Sequence, residues 1–201
     1  MTSTKLSTPC NAIILSAGQS SRMKREKALL AFDEKHTFIE KIISTYTKVC
    51  NELVLIVHKS LSQHLLQTGI AKDVKIIVND KIKLGRNYSI LLGLNSINIE
   101  HPTFIQNIDN PFTDKHLLLS LLENIAFYDY CFPVSQGKGG HPVLLSSRLQ
   151  KSFVSDYSDD LHFRHFLESY SKYELHVNTA KYSANINTAA AYNQIFEKNR
   201  T

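Results

Sequence analysis

The chain has 201 residues, of which 43% are hydrophobic and 20% are charged, and its formal net charge is +5. This composition predicts a single globular domain over residues 1–201, beginning with a polar tail over residues 1–9. The modest positive charge suits an anionic small molecule, and without clustered base-reading or aromatic motifs it argues against nucleic-acid binding. The tail lacks the apolar core of a signal peptide and no apolar run approaches the length of a membrane span, so we expect no membrane association.

The three cysteines, Cys10, Cys50 and Cys131, lie far apart in the sequence and form no C-x-x-C motif. An odd number of widely spaced cysteines argues for a reducing compartment and against a structural zinc site. Together with the absence of a targeting segment, this predicts a cytoplasmic protein.

The first predicted element is a buried strand over residues 12–15, a short apolar run of mostly branched side chains. The next six residues, SAGQSS, let the backbone turn sharply beside a ligand. Four of the six residues 22–27 are Arg or Lys. A strand, a small-residue loop and a basic cluster predict a polyphosphate site, in which loop N–H groups and cations hold the anion. An ordinary turn beside a solvated basic surface is an equally open interpretation on spacing alone.

Helical and strand-like segments then alternate along the chain. Apolar side chains at helical spacing predict a helix over residues 38–49 and a shorter one over 61–67. Continuous apolar runs predict central strands over residues 53–57 and 74–78. This alternation indicates βαβ units and a parallel or mostly parallel sheet.

The second half of the chain continues this pattern. A polar connection over residues 79–85 leads into a helix that carries Ser89 and several apolar side chains. A fourth strand follows over residues 103–108, and then a helix over 113–124 with Thr113 as its expected N-cap. We predict further strands over 128–133, 143–145 and 173–177, and further helices over 147–153, 161–170 and 189–198.

Asp109 follows directly after the fourth predicted strand, at the strand end where open α/β sheets place their ligands. Pro111 fixes the turn behind it, so the carboxylate projects from a stiff segment. A carboxylate in this position suits Mg²⁺, which prefers oxygen ligands and shares them with phosphates. The alternative is an Asp that closes an Asx-turn at a strand end.

Two other groups of polar residues are less informative. The glycine loop GKGGHP over residues 137–142 fits a mobile ligand-contacting loop or a simple hairpin connection, and spacing alone favours the hairpin. His162 and His165 lie at i, i+3 on a predicted helix. Without a cysteine or carboxylate at fitting positions nearby, we interpret them as a surface or interface pair rather than a metal site.

Residues 15–30, LSAGQSSRMKREKALL, resemble the signature L-A-A-G-x-S-x-R-M-G-x-x-K-x-L-L of the nucleotidyltransferases that build molybdenum cofactors. Gly18, Ser20, Arg22, Met23 and Lys27 match this signature, whereas Lys24 stands where the family usually has Gly. The stretch contains neither a Walker A loop nor a G-x-G-x-x-G fingerprint. The resemblance implies that this segment binds an NTP and that Arg22 and Lys27 act on its leaving phosphates. The implied nucleotide-binding residues are Leu15, Ser16, Ala17, Gly18, Ser20, Arg22 and Lys27.

Three later motifs follow in the family's order. The NIDNP sequence at 107–111 looks like the family's metal-binding D-x-P and implies that Asp109 is a catalytic Mg²⁺ ligand that also contacts the nucleotide. GRNYS at 85–89, with Gly93, matches the G-x-x-x-S-x-x-x-G that borders the nucleotide base, so Ser89 is carried over and Arg86 is only a nearby cation. Asn79, at the preceding strand end, is expected to bind the nucleotide as well.

GHPV at 140–143 is similar to the G-H-P-V of the cytidylyltransferase branch, which implies that Gly140 and His141 contact the acceptor substrate. NINT at 185–188 occupies the place of D-I-D-T-P, so Asn185 and Asn187 are expected on the substrate side. Asn187 is also a predicted second metal ligand, although an amide oxygen brings no charge to Mg²⁺.

The resemblance spans residues 12–192 and implies a three-layer α/β/α sandwich with a Rossmann-like, mixed and mostly parallel sheet. It also implies transfer of a nucleoside monophosphate from an NTP to the phosphate of a pterin-type acceptor. A molybdoenzyme or its maturation chaperone is a further implied partner. A methyl group at Ala17, where GTP-using members carry Gly, favours CTP over GTP. Two other interpretations stay open: transfer to an isoprenoid or sugar precursor, and a non-catalytic nucleotide-binding maturation protein.

Overall fold

The computed structural model describes residues 8–18, 23, 25–72 and 74–197. They form one eight-stranded sheet with helices on both faces. The strands are β1 (Asn11–Ser16), β2 (Glu52–Val57), β3 (Lys75–Val78), β4 (Thr103–Asn107), β5 (Tyr130–Ser135), β6 (Lys138–Gly139), β7 (Val143–Leu145) and β8 (Lys172–His176). The helices are α1 (Phe38–Tyr46), α2 (Lys59–Thr68), α3 (Gly85–Leu94), α4 (Lys115–Leu122), α5 (Ser147–Ser155), α6 (Phe163–Leu167) and α7 (Ala189–Tyr192).

The sheet is mixed and mostly parallel, in the order β3-β2-β1-β4-β7-β5-β6, with β8 on β5. Strands β1 to β4 pair in parallel, and β8 pairs in parallel with β5. Strand β7 runs antiparallel to both β4 and β5. The predicted α/β fold class is therefore confirmed. The chain reverses its strand order between β1 and β4, which is where sheets of this kind leave a ligand crevice at their carboxyl ends.

Strand β1 supplies both faces of the core, because every one of its residues is buried. Ala12 and Ile14 pack with α1, α2 and α4 on one face, whereas Ile13 and Leu15 pack with α3, α5 and α6 on the other. Helix α3 approaches the strand closely at Gly93, where an added Cβ would lie 2.6 Å from the Ile13 side chain. A side chain at position 93 would therefore push the last turn of α3 away from β1.

Several predicted boundaries were wrong. Asp114, not Thr113, caps α4, and its carboxylate accepts a hydrogen bond from the Leu117 N–H at 2.9 Å. Thr113 is buried and donates to Gln106 at 2.8 Å instead. The helix predicted over 161–170 is only the short α6. The predicted C-terminal helix is α7 followed by a π turn over Asn193–Glu197.

The glycine loop is a hairpin connection. Residues Gln136 and Gly137 have φ values of 50° and 74° and join β5 to β6. Two consecutive positive φ values are typical of the tight turns that match the twist of paired strands. No helix among the described residues has both the length and the apolar character needed to cross a bilayer.

Candidate active site

A cleft of about 350 Å³ opens at the carboxyl ends of β1 and β4, at the point where the strand order reverses. It brings together residues from the start, middle and end of the chain. Eight residues predicted to bind ligands line it: Leu15, Ala17, Gly18, Lys27, Asn79, Ser89, Asp109 and Asn187. Five further residues complete the lining: Ile82, Gly85, Arg86, Asn107 and Ile108.

Lys27, Asp109 and Asn187 meet on one wall of the cleft. Lys27 lies in a 3-10 turn over Lys27–Leu29 and donates from Nζ to the Asn187 Oδ1 atom at 2.7 Å. The same Nζ lies 3.9 Å from Asp109 Oδ2, and both side chains are mostly buried. These residues are separated by up to 160 positions in sequence, so only the fold brings them together.

The Asp109 carboxylate is largely buried. Its Oδ1 atom is buried and has no hydrogen-bond partner among the described residues. Burial raises the pKa of the Asp109 carboxyl above its usual value, and the positive charges of Lys27 and Arg86 oppose this shift. A buried carboxylate oxygen without a donor is costly unless a cation or a ligand satisfies it.

Asn110 fixes the wall that carries Asn187. It is fully buried, and its Nδ2 atom donates to the carbonyls of Tyr182 and Ala184 at 2.8 and 2.9 Å. The Ile186 N–H donates to the Asp109 carbonyl at 2.7 Å in the same connection. These bonds tie the segment that leads to Asn187 to the turn after β4, and they identify Asn110 as a supporting residue that the sequence analysis missed.

A second buried amide supports this turn from below. Gln106 donates from Nε2 to the carbonyls of Asn107 and Asn110, both at 2.8 Å. Its Oε1 atom accepts hydrogen bonds from the hydroxyls of Tyr46 and Thr113, also at 2.8 Å. Because both ends of the amide are satisfied, the backbone that carries Asp109 has a fixed course.

The opposite wall comes from one strand–helix unit. Asn79 is buried, and its Nδ2 atom donates to Ser89 Oγ at 2.9 Å while its Oδ1 atom accepts from the Lys81 N–H at 2.8 Å. Since Ser89 Oγ accepts this bond, its own proton remains available to a ligand. Gly85 begins α3 with φ +76° and ψ −162°, a backbone conformation that residues other than glycine rarely adopt.

Arg86 extends from the same wall into the cleft, a role that sequence reasoning did not give it. Its guanidinium lies 5.5 Å from the centre of the Phe163 ring and makes no salt bridge with another described residue. Arg86 faces the open cleft and keeps exposed surface. Desolvation by the surrounding protein lowers the pKa of Arg86, and the negative charge of Asp109 opposes this shift. An arginine stays charged under such a shift. Only its motif position, beside Gly85, could have indicated its placement.

Comparison with known proteins agrees with this architecture. The family model described as the MobA-like NTP transferase domain matches residues 12–174. The chain belongs to this family. The resemblance read from the sequence motifs is thereby confirmed.

One curated relative of this MobA-like chain is named "Probable molybdenum cofactor guanylyltransferase" from Bacillus mycoides (strain KBAB4). The two sequences are 28% identical over 133 residues, which is 64% of each chain, so the match spans less than two thirds of that relative.

Two solved structures show the same fold. Rv0371c from Mycobacterium tuberculosis H37Rv has a TM-score of 0.81 at 16% identity, covering 94% of this chain and 98% of that one. The 4-diphosphocytidyl-2C-methyl-D-erythritol synthase from Anaerococcus prevotii DSM 20548 has a TM-score of 0.73 at 12% identity, with coverage of 96% and 99%.

The other predicted residues that the structure describes lie around the cleft of this MobA-like chain rather than in it. His141 Nε2 lies 2.9 Å from Asn107 Nδ2, and Asn107 itself lines the cleft. Burial lowers the pKa of His141 to about 3, assisted by the Arg86 charge and only partly offset by the Ile105 backbone, so the imidazole is neutral near pH 7. Its Nδ1 atom is buried and meets no partner in hydrogen-bond geometry among the described residues.

Gly140 has a packing role. A Cβ at this position would overlap the Tyr182 carbonyl, whose oxygen accepts a hydrogen bond from the His141 N–H at 2.8 Å. Asn185 is exposed and Ser16 is buried behind the cleft with an unpartnered Oγ. Neither of these two lines the cleft, and their ligand contacts stay predictions.

Two predicted phosphate contacts, Ser20 and Arg22, lie outside the described residues. No cluster of three or more His, Cys, Asp or Glu side chains suited to a metal occurs in the described part of the chain. The rings of His162 and His165 lie 5.5 Å apart at the start of α6. Among the described residues that line the cleft, Asp109 is the one carboxylate.

Proposed function

We propose that this chain is a Mg²⁺-dependent nucleotidyltransferase that joins a nucleoside monophosphate to the phosphate of a molybdopterin-type acceptor and releases pyrophosphate. The observation that carries the proposal is the unpartnered, buried oxygen of Asp109, which lines the same cleft as Lys27 and Arg86. The two cations and one carboxylate give the described lining a net positive charge, which suits a polyphosphate. Family membership and the curated relative's name support the reaction class and the acceptor.

The Asp109 carboxylate fits a magnesium ion by its chemistry. It supplies a hard oxygen ligand, and its Oδ1 atom has no competing donor among the described residues. Asn187 fits less well, because its Oδ1 atom already accepts a hydrogen bond from Lys27 at 2.7 Å. We therefore assign the metal contact to Asp109 and give Asn187 the task of holding Lys27. A bound Mg²⁺ would neutralise phosphate charge beside Asp109.

The protein's own side chains position the reactants and balance charge. A phosphate nucleophile is already ionised at neutral pH, so transfer to it requires no general base. Lys27 would bind the leaving phosphates from one wall, and Arg86 would face the reacting phosphates from the other. The Ser89 hydroxyl, oriented by Asn79, would donate to the nucleotide. Such pre-placed charges stabilise a transition state because they need no rearrangement when the reaction occurs.

We propose CTP as the preferred nucleotide. Ala17 lines the cleft with only 5% of its surface exposed, so its methyl group occupies space that a glycine would leave open. A purine needs more room than a pyrimidine, and a steric pocket of this kind discriminates by about 10–200-fold in kcat/KM. GTP is the second candidate, favoured by the name of the curated relative and by the asparagines at 185 and 187.

The choice of nucleotide is tested by comparing CTP and GTP on the wild type and on Ala17→Gly. We expect the wild type to prefer CTP and the variant to gain activity with GTP. A wild type that prefers GTP would contradict the CTP proposal. A preference unchanged in Ala17→Gly would show that another residue selects the base.

The reaction itself is tested by pyrophosphate release from the four NTPs, each with molybdopterin and with phosphorylated isoprenoid and sugar precursors. We expect release that depends on both Mg²⁺ and the pterin phosphate. Release with another acceptor would keep the nucleotidyl transfer and change the acceptor. Nucleotide binding without release under any condition would identify a binding protein and overturn the proposal.

A further inference from the structure

The side chains of Cys10 and Cys50 meet in the fold although 40 positions separate them. Their sulfur atoms lie 3.7 Å apart, and Cys10 Sγ also lies 3.6 Å from the Val49 carbonyl oxygen. Nothing in the sequence indicates this contact, because widely spaced cysteines in a chain of this length carry no pairing information.

The backbone around the two cysteines is fixed by a pair of parallel strands. Cys10 directly precedes β1, and Cys50 lies two residues before the neighbouring β2. The Asn51 N–H donates to the Cys10 carbonyl at 2.7 Å, and the Cys10 N–H donates to Asn51 Oδ1 at 3.2 Å. The two sulfur atoms are already in contact, and a disulfide would bring them from 3.7 Å to a bond length of about 2.05 Å.

The three cysteines differ in access. Cys50 keeps part of its surface exposed, whereas Cys10 and Cys131 are fully buried. Burial raises the pKa of Cys131 to about 12. The contact between the other two thiols raises the pKa of Cys50, with burial adding to the shift, and lowers the pKa of Cys10. Cys50 is thus the accessible thiol of the pair, and Cys10 is the more readily ionised one that would resolve an adduct on it. A reagent in solution therefore reaches Cys50 first, with Cys10 in contact behind it and Cys131 as an inert internal control.

We propose that Cys10 and Cys50 form a site of reversible oxidative modification, in which a low-molecular-weight disulfide such as oxidised glutathione converts the two thiols into one disulfide. The Cys50 thiolate attacks a glutathione sulfur, and one glutathione thiolate leaves. The Cys10 thiolate then attacks the Cys50 sulfur and expels the second glutathione thiolate. The two expelled thiolates take up the two protons lost by the cysteines, so one oxidised glutathione yields two reduced glutathiones.

The bond would close a loop over residues 10–50 that contains β1, the small-residue loop, the basic cluster and α1. The cysteines lie at the amino ends of β1 and β2, whereas the cleft lies at the carboxyl ends of the strands. A cross-link there constrains the unfolded chain without contacting Lys27 or Asp109. We therefore expect oxidation to raise the melting temperature of the protein and to leave nucleotide binding unchanged.

The test treats the folded protein with oxidised glutathione, denatures it, and counts thiols before and after reduction with dithiothreitol. We expect the wild type to fall from three thiols to one, with a Cys10–Cys50 linked peptide in the mass spectrum and a higher melting temperature that dithiothreitol reverses. Cys131→Ala should show the same linked peptide and fall from two thiols to none. Cys10→Ser should instead keep a glutathione adduct on Cys50.

Each other result would overturn the proposal. Three intact thiols in the oxidised wild type would show that the pair does not react. A persistent adduct on Cys50 in the wild type would show that Cys10 cannot resolve it. A link that involves Cys131 would show that the contact between Cys10 and Cys50 does not decide the pairing. Nucleotide binding by the same samples reports on the cleft separately, so a failed redox test leaves the proposed function intact.

Discussion

The two walls of the cleft are built in different ways. One wall joins Lys27, Asp109 and Asn187, which come from the beginning, middle and end of the chain. The other wall carries Asn79, Arg86 and Ser89, which lie within eleven consecutive residues of one strand–helix unit. The first wall joins distant segments of the chain, whereas the residues of the second come from one βα connection.

This difference predicts different responses to mutation. On the long-range wall, Asn110 holds the carbonyls of Tyr182 and Ala184, and with them the segment that leads to Asn187. On the local wall, the Asn79–Ser89 hydrogen bond lies within a single βα connection. A change at a supporting residue of the first wall should therefore affect both stability and turnover, while a change on the second should act mainly on ligand binding.

Apart from Asp109 itself, the largest effect is expected at Lys27. Lys27→Ala removes the cation that contacts Asn187 and lies beside Asp109. Turnover should fall by about 10²–10³-fold, because a charge that stabilises the leaving phosphates is lost. Lys24→Ala is the matched control from the same basic cluster and should change turnover little. Equal and small losses at both positions would show that the cluster is only a solvated basic surface.

An intermediate effect separates the two walls directly. Asn110→Ala leaves buried carbonyls unpaired, so we expect the free energy of unfolding to fall by about 2–4 kcal/mol. Ser89→Ala removes one ligand contact and leaves a single buried donor, Asn79 Nδ2, unpaired. We therefore expect KM for the nucleotide to rise about 10-fold, with a smaller stability loss of about 1 kcal/mol. Urea denaturation and steady-state kinetics on the same two variants give both readouts. Similar stability losses in the two variants would contradict the contrast between the walls.

The smallest effect concerns pH. The Asp109 carboxyl has a raised pKa, so activity should be lost as the pH falls through that pKa and the carboxylate is protonated. Arg86 opposes the raised pKa by favouring the charged form. Arg86→Met should therefore move the acid limb of the pH–kcat/KM profile to a higher pH. A limb that stays in place or moves to a lower pH would show that Arg86 does not act on Asp109.

Much of the fold could be predicted because its signals are local. The runs 12–15, 53–57 and 74–78 are apolar strands flanked by helical patterns, and each is a strand in the structure. The errors arose where tertiary contacts decided the outcome. Thr113 has the chemistry of a helix cap, but the buried Gln106 amide takes its hydroxyl and leaves the cap to Asp114.

The candidate site divides in the same way. Motif positions indicated Ser89 and Asp109 because strand ends and turns place them. Asn110 and Gln106 gave no signal, because a buried amide that satisfies distant carbonyls looks like any turn residue in the sequence. The sequence indicates Arg86 only as a nearby cation, because its direction depends on how α3 packs on β1. The meeting of Cys10 and Cys50 likewise depends on the register of two strands.

The most direct test of the account measures nucleotide binding and pyrophosphate release side by side for the wild type and Asp109→Asn across a Mg²⁺ titration. The substitution keeps the shape of the side chain and removes the charge that we assign to the metal. We expect the variant to stay folded, to bind nucleotide more weakly, and to lose about 10³-fold or more in turnover at every Mg²⁺ concentration. Near-normal turnover of Asp109→Asn with Mg²⁺ would contradict the assignment of this cleft as the metal-dependent active site.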